Sequence, residues 1–386
     1  QCGGCQIQCI NYNEQLRFKK NKVYNNLVRI GGQSDFVMND VIGMDEPFNY
    51  RNKSQFPIGT DKEGNIISGF YAGRTHSIIS CTDCKIGAVE NQYILAVIKS
   101  WMELNGVAPY DEQTGRGLVR HVLIRTGFHT DEIMVCLVIN GTKMSDKLKE
   151  SLVGRLTEVS LDSDISTDKC IKSIMLNFNT ENTNVILGRQ CETLWGKRYI
   201  KDYIGDIKYQ ISPLSFFQVN PRQTEKLYGK ALEYAGLTGN ETVWDLYCGI
   251  GTIGITAAKY AGNVIGIELN PKAVEDAQVN AQINNIKNIR FFEGDAGDFL
   301  VEYARNKKAD VVIMDPPRSG SDEAFLKSLI KIKPRSIVYI SCNPDTQIRD
   351  VKILEKGGYK AEKCMPFDLF PYTDHIENIC VLKRGK

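Results

Sequence analysis

Cys342 is the residue best placed to form a covalent bond. Ser341-Cys342-Asn343-Pro344 follows the apolar stretch Ile337-Val338-Tyr339-Ile340, and Pro344 can open a helix. The thiol then lies at a helix N-terminus, whose partial positive charge favours the nucleophilic thiolate. The bland role for a cysteine, an inert core residue, suits Cys136 and Cys380 in their apolar strands. Glu377, in Asp374-His375-Ile376-Glu377, lies between an apolar residue and a strand and could accept a proton. In Asp315-Pro316-Pro317-Arg318 two prolines stiffen a loop at a strand end, and Arg318 can hold a phosphate or a base-bearing strand.

A second constellation could hold a nucleotide-type ligand. Asp245-Leu246-Tyr247-Cys248-Gly249-Ile250-Gly251-Thr252-Ile253-Gly254 spells G-x-G-x-x-G between a strand and a helix. Glycines let the backbone turn sharply and approach a ligand closely. Glu268 ends the next strand, where an acid can bind ribose hydroxyls. The loop alone does not separate NAD from S-adenosylmethionine; the acid before it, Asp245, favours the latter.

These residues need a frame. Apolar and polar stretches alternate from residue 241 onward as strands 241–246, 263–268, 289–294, 310–315 and 336–341. Helices fall at 252–261, 271–284, 296–306, 322–331 and 344–356, and two closing strands at 360–382. Such repetition implies an α/β fold, with a parallel sheet covered by helices on both faces. Asp245, Glu268, Asp295, Asp315 and Cys342 then fall at the carboxyl ends of successive strands, the edge where open sheets bind ligands. Asn220-Pro221 caps a helix that runs to about Gly236. The front half reads as α+β: a basic helix over 13–30 with Leu16, Val23, Leu27 and Ile30 on one face, strands near 66–72, 118–126 and 132–139, and a helix near 90–105. Two domains are expected, 1–205 and 206–386.

A net charge of +2 excludes a molecule that is basic throughout, so a nucleic-acid site must be a local patch. No apolar run reaches membrane-spanning length and no signal peptide opens the chain, so a cytoplasmic protein without membrane contact is expected. The twelve cysteines are too scattered for a disulfide scaffold. The abrupt start at Gln1-Cys2-Gly3-Gly4-Cys5, inside a dense motif, suggests a fragment.

Phe216-Phe217-Gln218-Val219-Asn220, Asp245-Leu246-Tyr247-Cys248-Gly249, Asp315-Pro316-Pro317-Arg318, Ser341-Cys342-Asn343-Pro344 and His375-Ile376-Glu377, in that order, resemble the RNA uracil-5 methyltransferases. The likeness extends along essentially the whole chain and is strongest to the bacterial enzymes that make 5-methyluridine in 23S ribosomal RNA. It implies a C-terminal Rossmann-like class I methyltransferase domain with a mostly parallel seven-stranded sheet. Gln218, Tyr247, Glu268 and Asp315 would bind S-adenosylmethionine, with Asp245, Gly249 and Asp295 beside them. Cys342 would be the nucleophile and Glu377 the base. The target uridine must leave its stack, and Phe216 or Phe217 could stack on it.

The same resemblance makes Cys2-Gly3-Gly4-Cys5-Gln6 the end of a [4Fe-4S] motif, with Cys84 as its distant fourth ligand. The first cysteine would precede Gln1, as would a β-barrel. Cys9 replaces the family's usual His, and Cys9 or Cys81 could join the ligand set. Without the resemblance, paired Cys-x-x-Cys reads more often as zinc. Basic residues of the front half are candidate RNA contacts: Arg17, Lys19, Lys20 and Lys22, then Arg51 and Lys53, then Arg120 and Arg125. A monomer is the default. An NAD-dependent oxidoreductase would leave Cys342 and the Pro-Pro-Arg turn unexplained. A non-catalytic RNA-binding or iron–sulfur protein predicts no adduct. A cytosine-5 enzyme usually carries Cys where Arg318 stands. Transfer RNA remains the other substrate.

Overall fold

The computed structural model describes residues 2–32, 34–158, 167–303 and 308–385. In chain order its elements begin with α1 (Tyr12–Asn25), which ends in a π-turn over Asn26–Ile30, and then β1 (Val37–Met38), β2 (Lys53–Thr60), β3 (Ile66–Tyr71) and β4 (Ile78–Ser80). Next come α2 (Asn91–Leu104), β5 (Val119–Thr126), β6 (Glu132–Ile139), α3 (Asp146–Thr157), β7 (Cys170–Phe178) and β8 (Gln190–Gly196). A two-stranded ribbon, β9 (Ile200–Ile204) and β10 (Ile207–Ile211), precedes α4 (Pro221–Ala235). The rest alternates: β11 (Thr242–Leu246), α5 (Thr252–Ala257), β12 (Asn263–Glu268), α6 (Pro271–Ile283), β13 (Ile289–Glu293), α7 (Ala296–Tyr303), β14 (Val311–Met314), α8 (Glu323–Ile332), β15 (Ser336–Ser341), α9 (Pro344–Lys356), β16 (Tyr359–Phe367) and β17 (Glu377–Arg384). The expected helix 296–306 is seen over Ala296–Tyr303, and its remaining residues lie outside those described.

The chain forms two compact units. The first contains Gln1–Gln6, Pro47–Tyr203 and Tyr209–Leu214; the second contains Ile7–Glu46, Ile204–Lys208 and Ser215–Lys386. A single division at 205 therefore does not describe the chain. Ile7–Glu46 groups with the C-terminal unit because α1 and β1 pack on it.

In the first unit seven strands run in the order β4-β3-β2-β5-β6-β7-β8. β5 and β6 are buried along their whole length; β6 is accordingly apolar from Ile133 to Ile139, while β5 carries Arg120, His121 and Arg125 into the interior. Phe56, Ile94, Ile98, Trp101, Val122, Ile124 and Leu137 share a core between the sheet and α2.

The second unit has the sheet order β1-β16-β17-β15-β14-β11-β12-β13. β11 to β15 are parallel, while β17 runs antiparallel between β15 and β16. The expected seven strands gain an eighth, because β1 from the N-terminal segment pairs in parallel with β16. Trp244, Leu246, Ile265 and Ile267 bury one sheet face against Phe299, Phe325, Leu329 and Val351 of α7, α8 and α9. Three helices start with Asn-Pro. Asn220, Asn270 and Asn343 accept backbone N–H bonds at 3.3, 3.0 and 3.2 Å, and proline occupies a position whose own N–H would be orphaned.

α1 buries an unexpected face. Val23 and Leu27 point inward as expected, but Ile30 is exposed, and Gln15 and Lys19 are buried. Lys19 therefore cannot serve as the solvated RNA contact its charge suggested. Its Nζ donates to Asp368 Oδ1 at 2.6 Å and to the Phe370 carbonyl at 3.0 Å. Gln15 Oε1 accepts from Tyr372 N at 2.9 Å. A polar helix face thus clamps the segment that leads to Glu377. Lys19→Met should destabilise the protein by about 3–5 kcal/mol, because it strands a buried carboxylate. Adding Asp368→Leu should restore most of that stability in a denaturant titration; a single variant as stable as the wild type would refute the clamp.

Candidate active site

The strand order reverses between β11 and β14, so their carboxyl ends diverge and open a crevice. The glycine loop leaves β11 there, and the Asp315-Pro316-Pro317-Arg318 loop leaves β14. A cleft of about 900 Å³ results, lined by Phe216, Gln218, Tyr247, Gly249, Glu268, Asp295, Asp315, Arg318, Cys342 and Glu377 among others.

The loop after β11 is shaped for a ligand. Tyr247 has φ +69°, a conformation that costs energy for a side chain of its size. Gly249 has φ +55°, and a methyl group added there would meet no protein atom within 4 Å, so its face is open to the cleft. Gly249 N donates to Glu268 Oε2 at 3.0 Å, and Asn270 N donates to Oε1 at 2.9 Å, which holds the acid at the rim. Gly254 is required for a different reason: a methyl group there would come within 2.7 Å of Asp245 Oδ2.

Asp245 departs from its expected place. It is 1% exposed, lies beneath the loop rather than along the cleft, and neither carboxylate oxygen has a hydrogen-bond partner of good geometry. Burial raises it to about 8, aided by Asp315 and Glu268 and opposed by the Gly254 backbone. The fold therefore holds a proton there that the unfolded chain releases near pH 4. Its stabilising contribution is full below that pH and is lost as pH rises through about 8. Asp245→Asn should flatten the fall in Tm across that window, measured by thermal melts; an unchanged slope would contradict it.

Cys342 and Glu377 meet through strand register. β15 pairs with β17 so that Ile340 faces Ile379 and Ser341 faces Asn378. Beyond that last pair come Cys342 and Glu377, remote in the chain, which both line the cleft, with Glu377 among the groups acting on the thiol. Gln347 Nε2 donates to the carbonyls of Tyr339 and Asn378 at 3.0 and 3.1 Å, and Asn378 Nδ2 donates to Gln347 Oε1 at 2.7 Å. These bonds lock the two strand ends from below. The other loop is tied down as well. The Arg318 carbonyl accepts from Asn343 Nδ2 at 3.1 Å and Thr346 Oγ1 at 3.3 Å, and Arg349 Nη2 donates to the Ser319 and Ser321 carbonyls at 3.0 and 2.9 Å.

The electrostatics reverse one expectation. The helix N-terminus does not yield a resting thiolate, because burial pushes Cys342 up to about 11, with Glu377 and Asp315 adding to it and Arg318 opposing. Burial raises Asp315 to about 7. Burial, then Asp315, raises Glu377 well above the usual carboxylate range. The pocket thus holds several acids that cannot all ionise together.

Phe216 and Phe217 separate clearly. Phe216 is 64% exposed at the cleft, whereas Phe217 is buried. Sequence reasoning missed Phe370, which lines the cleft and meets the His375 ring edge-on at 6.0 Å. It also missed the pairing of His375 Nδ1 with Arg318 Nη2 at 3.3 Å. The histidine beside Glu377 was the available signal.

The profile of the family described as tRNA (Uracil-5-)-methyltransferase matches residues 197–385. An uncharacterized RNA methyltransferase of Halalkalibacterium halodurans is 45% identical over 99% of this chain and 81% of its own length. One of Clostridium tetani shows the same identity and coverage. The chain belongs to the RNA uracil-5 methyltransferase family. Among solved structures, the Pyrococcus abyssi tRNA (uracil-54, C5)-methyltransferase in complex with S-adenosyl-L-homocysteine is similar at TM-score 0.78 and 30% identity. That match covers 99% of this chain and 86% of the other. As an RNA uracil-5 methyltransferase, the enzyme uses S-adenosylmethionine and acts on RNA.

The first unit of this methyltransferase holds the cysteine motif. Cys2, Cys5 and Cys84 lie near one another: Cys5 is raised to about 11 by burial and by Cys84 and Cys2, with Arg51 opposing. Cys81 donates to Cys84, which falls to about 6. Cys9 is exposed and belongs to the other unit. Among the described residues, no group of three or more His, Cys, Asp or Glu is arranged to hold a metal ion. Arg120 and Arg125 are buried; Arg120 Nη1 donates to the Asn179 and Glu181 carbonyls, both at 2.8 Å, and so is not a solvated RNA contact. Arg17 pairs with Glu14 and Lys20 with Asp40. No helix among the described residues is long and apolar enough to cross a membrane.

Proposed function

We propose that this enzyme methylates carbon 5 of a uridine in 23S ribosomal RNA through a covalent Cys342 adduct, with Glu377 as the base. The observation that carries the reading is the cleft that Cys342 and Glu377, at the paired ends of β15 and β17, share with Gln218, Tyr247, Glu268 and Asp315. Those four residues, with Gly249 and Asp295 at the rim and Asp245 supporting the loop, hold S-adenosylmethionine, which supplies an electrophilic methyl group. Phe216 stacks on the flipped base and Arg318 holds its phosphate or backbone.

Carbon 5 of uracil is a poor nucleophile. Asp315, titrating near neutrality, is the carboxylate suited to take the Cys342 proton. The sulfur then bonds to carbon 6 and pushes electrons through carbon 5 onto the 4-oxygen. Carbon 5 takes the methyl group and leaves S-adenosylhomocysteine. Glu377 next removes the carbon 5 proton, the double bond re-forms and the sulfur–carbon bond breaks. The burial that raises Glu377 also makes its ionised form the stronger base.

The Pyrococcus likeness favours a second reading, in which the uridine lies in transfer RNA. Incubation with 5-fluorouridine-substituted ribosomal or transfer RNA decides between them, because fluorine cannot leave as a proton and the adduct persists. A band with ribosomal RNA supports the first reading, and a band with transfer RNA alone supports the second. A band with neither sinks the adduct mechanism. Cys2, Cys5 and Cys84, with a further cysteine, are proposed to carry a [4Fe-4S] cluster in a monomeric cytoplasmic enzyme. The spacing supports that cluster, iron and acid-labile sulfide analysis tests it, and no step above uses it.

A further inference from the structure

His375 fastens two walls of the cleft. Arg318 Nη2 lies 3.3 Å from His375 Nδ1, and the Phe370 ring meets the His375 ring edge-on at 6.0 Å and 80°. Arg318 and Phe370 line the cleft, whereas His375 does not. A guanidinium only donates, so Nδ1 is the acceptor and Nε2 carries the proton of the neutral ring. Burial, then Arg318, lowers His375 below its usual value, with Lys22 and Lys19 adding to it and Asp374 opposing, so the ring keeps that acceptor at neutral pH. Asp374 Oδ1 is farther from the same nitrogen, at 3.6 Å. The Arg318 charge in turn acts on both Cys342 and Glu377.

The turn that carries His375 is held from several sides. Tyr372 has φ +69°, a strained conformation for its size. Gln15 Oε1 accepts from Tyr372 N at 2.9 Å, Lys19 Nζ donates to the Phe370 carbonyl at 3.0 Å, and Lys22 Nζ donates to the Asp374 carbonyl at 3.0 Å, so α1 grips the turn at three points. Thr373 Oγ1 donates to the Phe370 carbonyl at 2.8 Å and accepts from His375 N at 3.3 Å. Such strain persists only where surrounding contacts over-determine it, and here those contacts fix the backbone on which His375 stands.

We propose that His375 is a positioning residue for the RNA substrate: its Nδ1 holds the Arg318 guanidinium and its ring edge holds Phe370, so that the cleft meets the target nucleotide with both groups already in place. The role rests on the reading of Arg318 as an RNA contact, and it explains why that contact is effective. A long arginine side chain has many rotamers, and fixing it before binding removes an ordering cost that the complex would otherwise carry. The histidine acts through Arg318 and Phe370 and takes no part in methyl transfer itself.

The test is a double-mutant cycle on the full chain, with labelled S-adenosylmethionine and whichever RNA the wild type methylates. His375→Phe keeps an aromatic ring beside Phe370 but removes the acceptor. It should lower kcat/KM for RNA by about tenfold, the size of one hydrogen bond to a charged group, with most of the loss in KM. In an Arg318→Gln background the same change should cost less than about twofold, because the partner is already gone. His375→Asn, whose Oδ1 can stand where Nδ1 does, should recover most of the loss. Tm and S-adenosylmethionine affinity should be unchanged in both His375 variants. An equal loss in the two backgrounds would mark a merely structural histidine and overturn the proposal. So would His375→Phe with wild-type kcat/KM, or His375→Asn no better than His375→Phe. Arg318→Gln with wild-type kcat/KM would overturn the RNA-contact reading and the proposal together. Failure of the 5-fluorouridine trap in the wild type would overturn the adduct mechanism alone, since the cycle reads only methyl transfer.

Discussion

Cys342→Ala should abolish the covalent band with 5-fluorouridine RNA and lower methyl transfer by roughly 10⁴-fold or more, as loss of an enzymatic nucleophile does. S-adenosylmethionine affinity should be unchanged, because the thiol lies at the end of β15 rather than on the glycine loop. The fold should survive too, since Cys342 is only half-buried and a smaller residue fits. Equilibrium dialysis with labelled S-adenosylmethionine separates the two effects. Residual methylation above about one per cent would show that carbon 5 is activated without the thiol. The wild-type rate of adduct formation should rise with pH through about 7, as Asp315 ionises and can take the thiol proton, and then level off.

Glu377→Gln should give the opposite phenotype. With ordinary uridine RNA and S-adenosylmethionine it should accumulate a methylated covalent complex, because carbon 5 keeps its proton and the sulfur cannot leave. Turnover should fall by about 10²–10⁴-fold, the span typical of a lost general base. Adduct formation itself should not slow. Glu377 is one of the groups raising Cys342, so a neutral amide in its place eases ionisation of the thiol. Mass spectrometry of the trapped nucleotide would show the added methyl group. A variant that turned over normally, or formed no adduct, would exclude Glu377 as the base.

Much of the second unit was legible because its physics is local. The parallel strands are short and largely apolar, most helices begin with a capping Asn or Asp, and the acids at strand ends recur with the βα period. Asp315-Pro316-Pro317-Arg318 and Ser341-Cys342-Asn343-Pro344 therefore declare their positions without reference to distant residues. The first unit was less readable. β2, β4, β7 and β8 pass unnoticed because half-buried mixed strands carry a weaker periodic signal, and the partners that bury them are remote in sequence.

The sequence by itself determined which residues end each strand and that a glycine-rich loop and a cysteine flank one sheet edge. Whatever depended on distant pairing was decided by the tertiary structure. Register paired the ends of β15 and β17, which carry Cys342 and Glu377 into one cleft. Burial sank Asp245 beneath the loop, turned Lys19 from a candidate RNA contact into a buried ion pair, and raised the thiol that a helix N-terminus alone would have lowered. A helix end acts over one turn and can be read from adjacent residues. Desolvation depends on every atom packed around a group, and only the folded chain specifies those atoms.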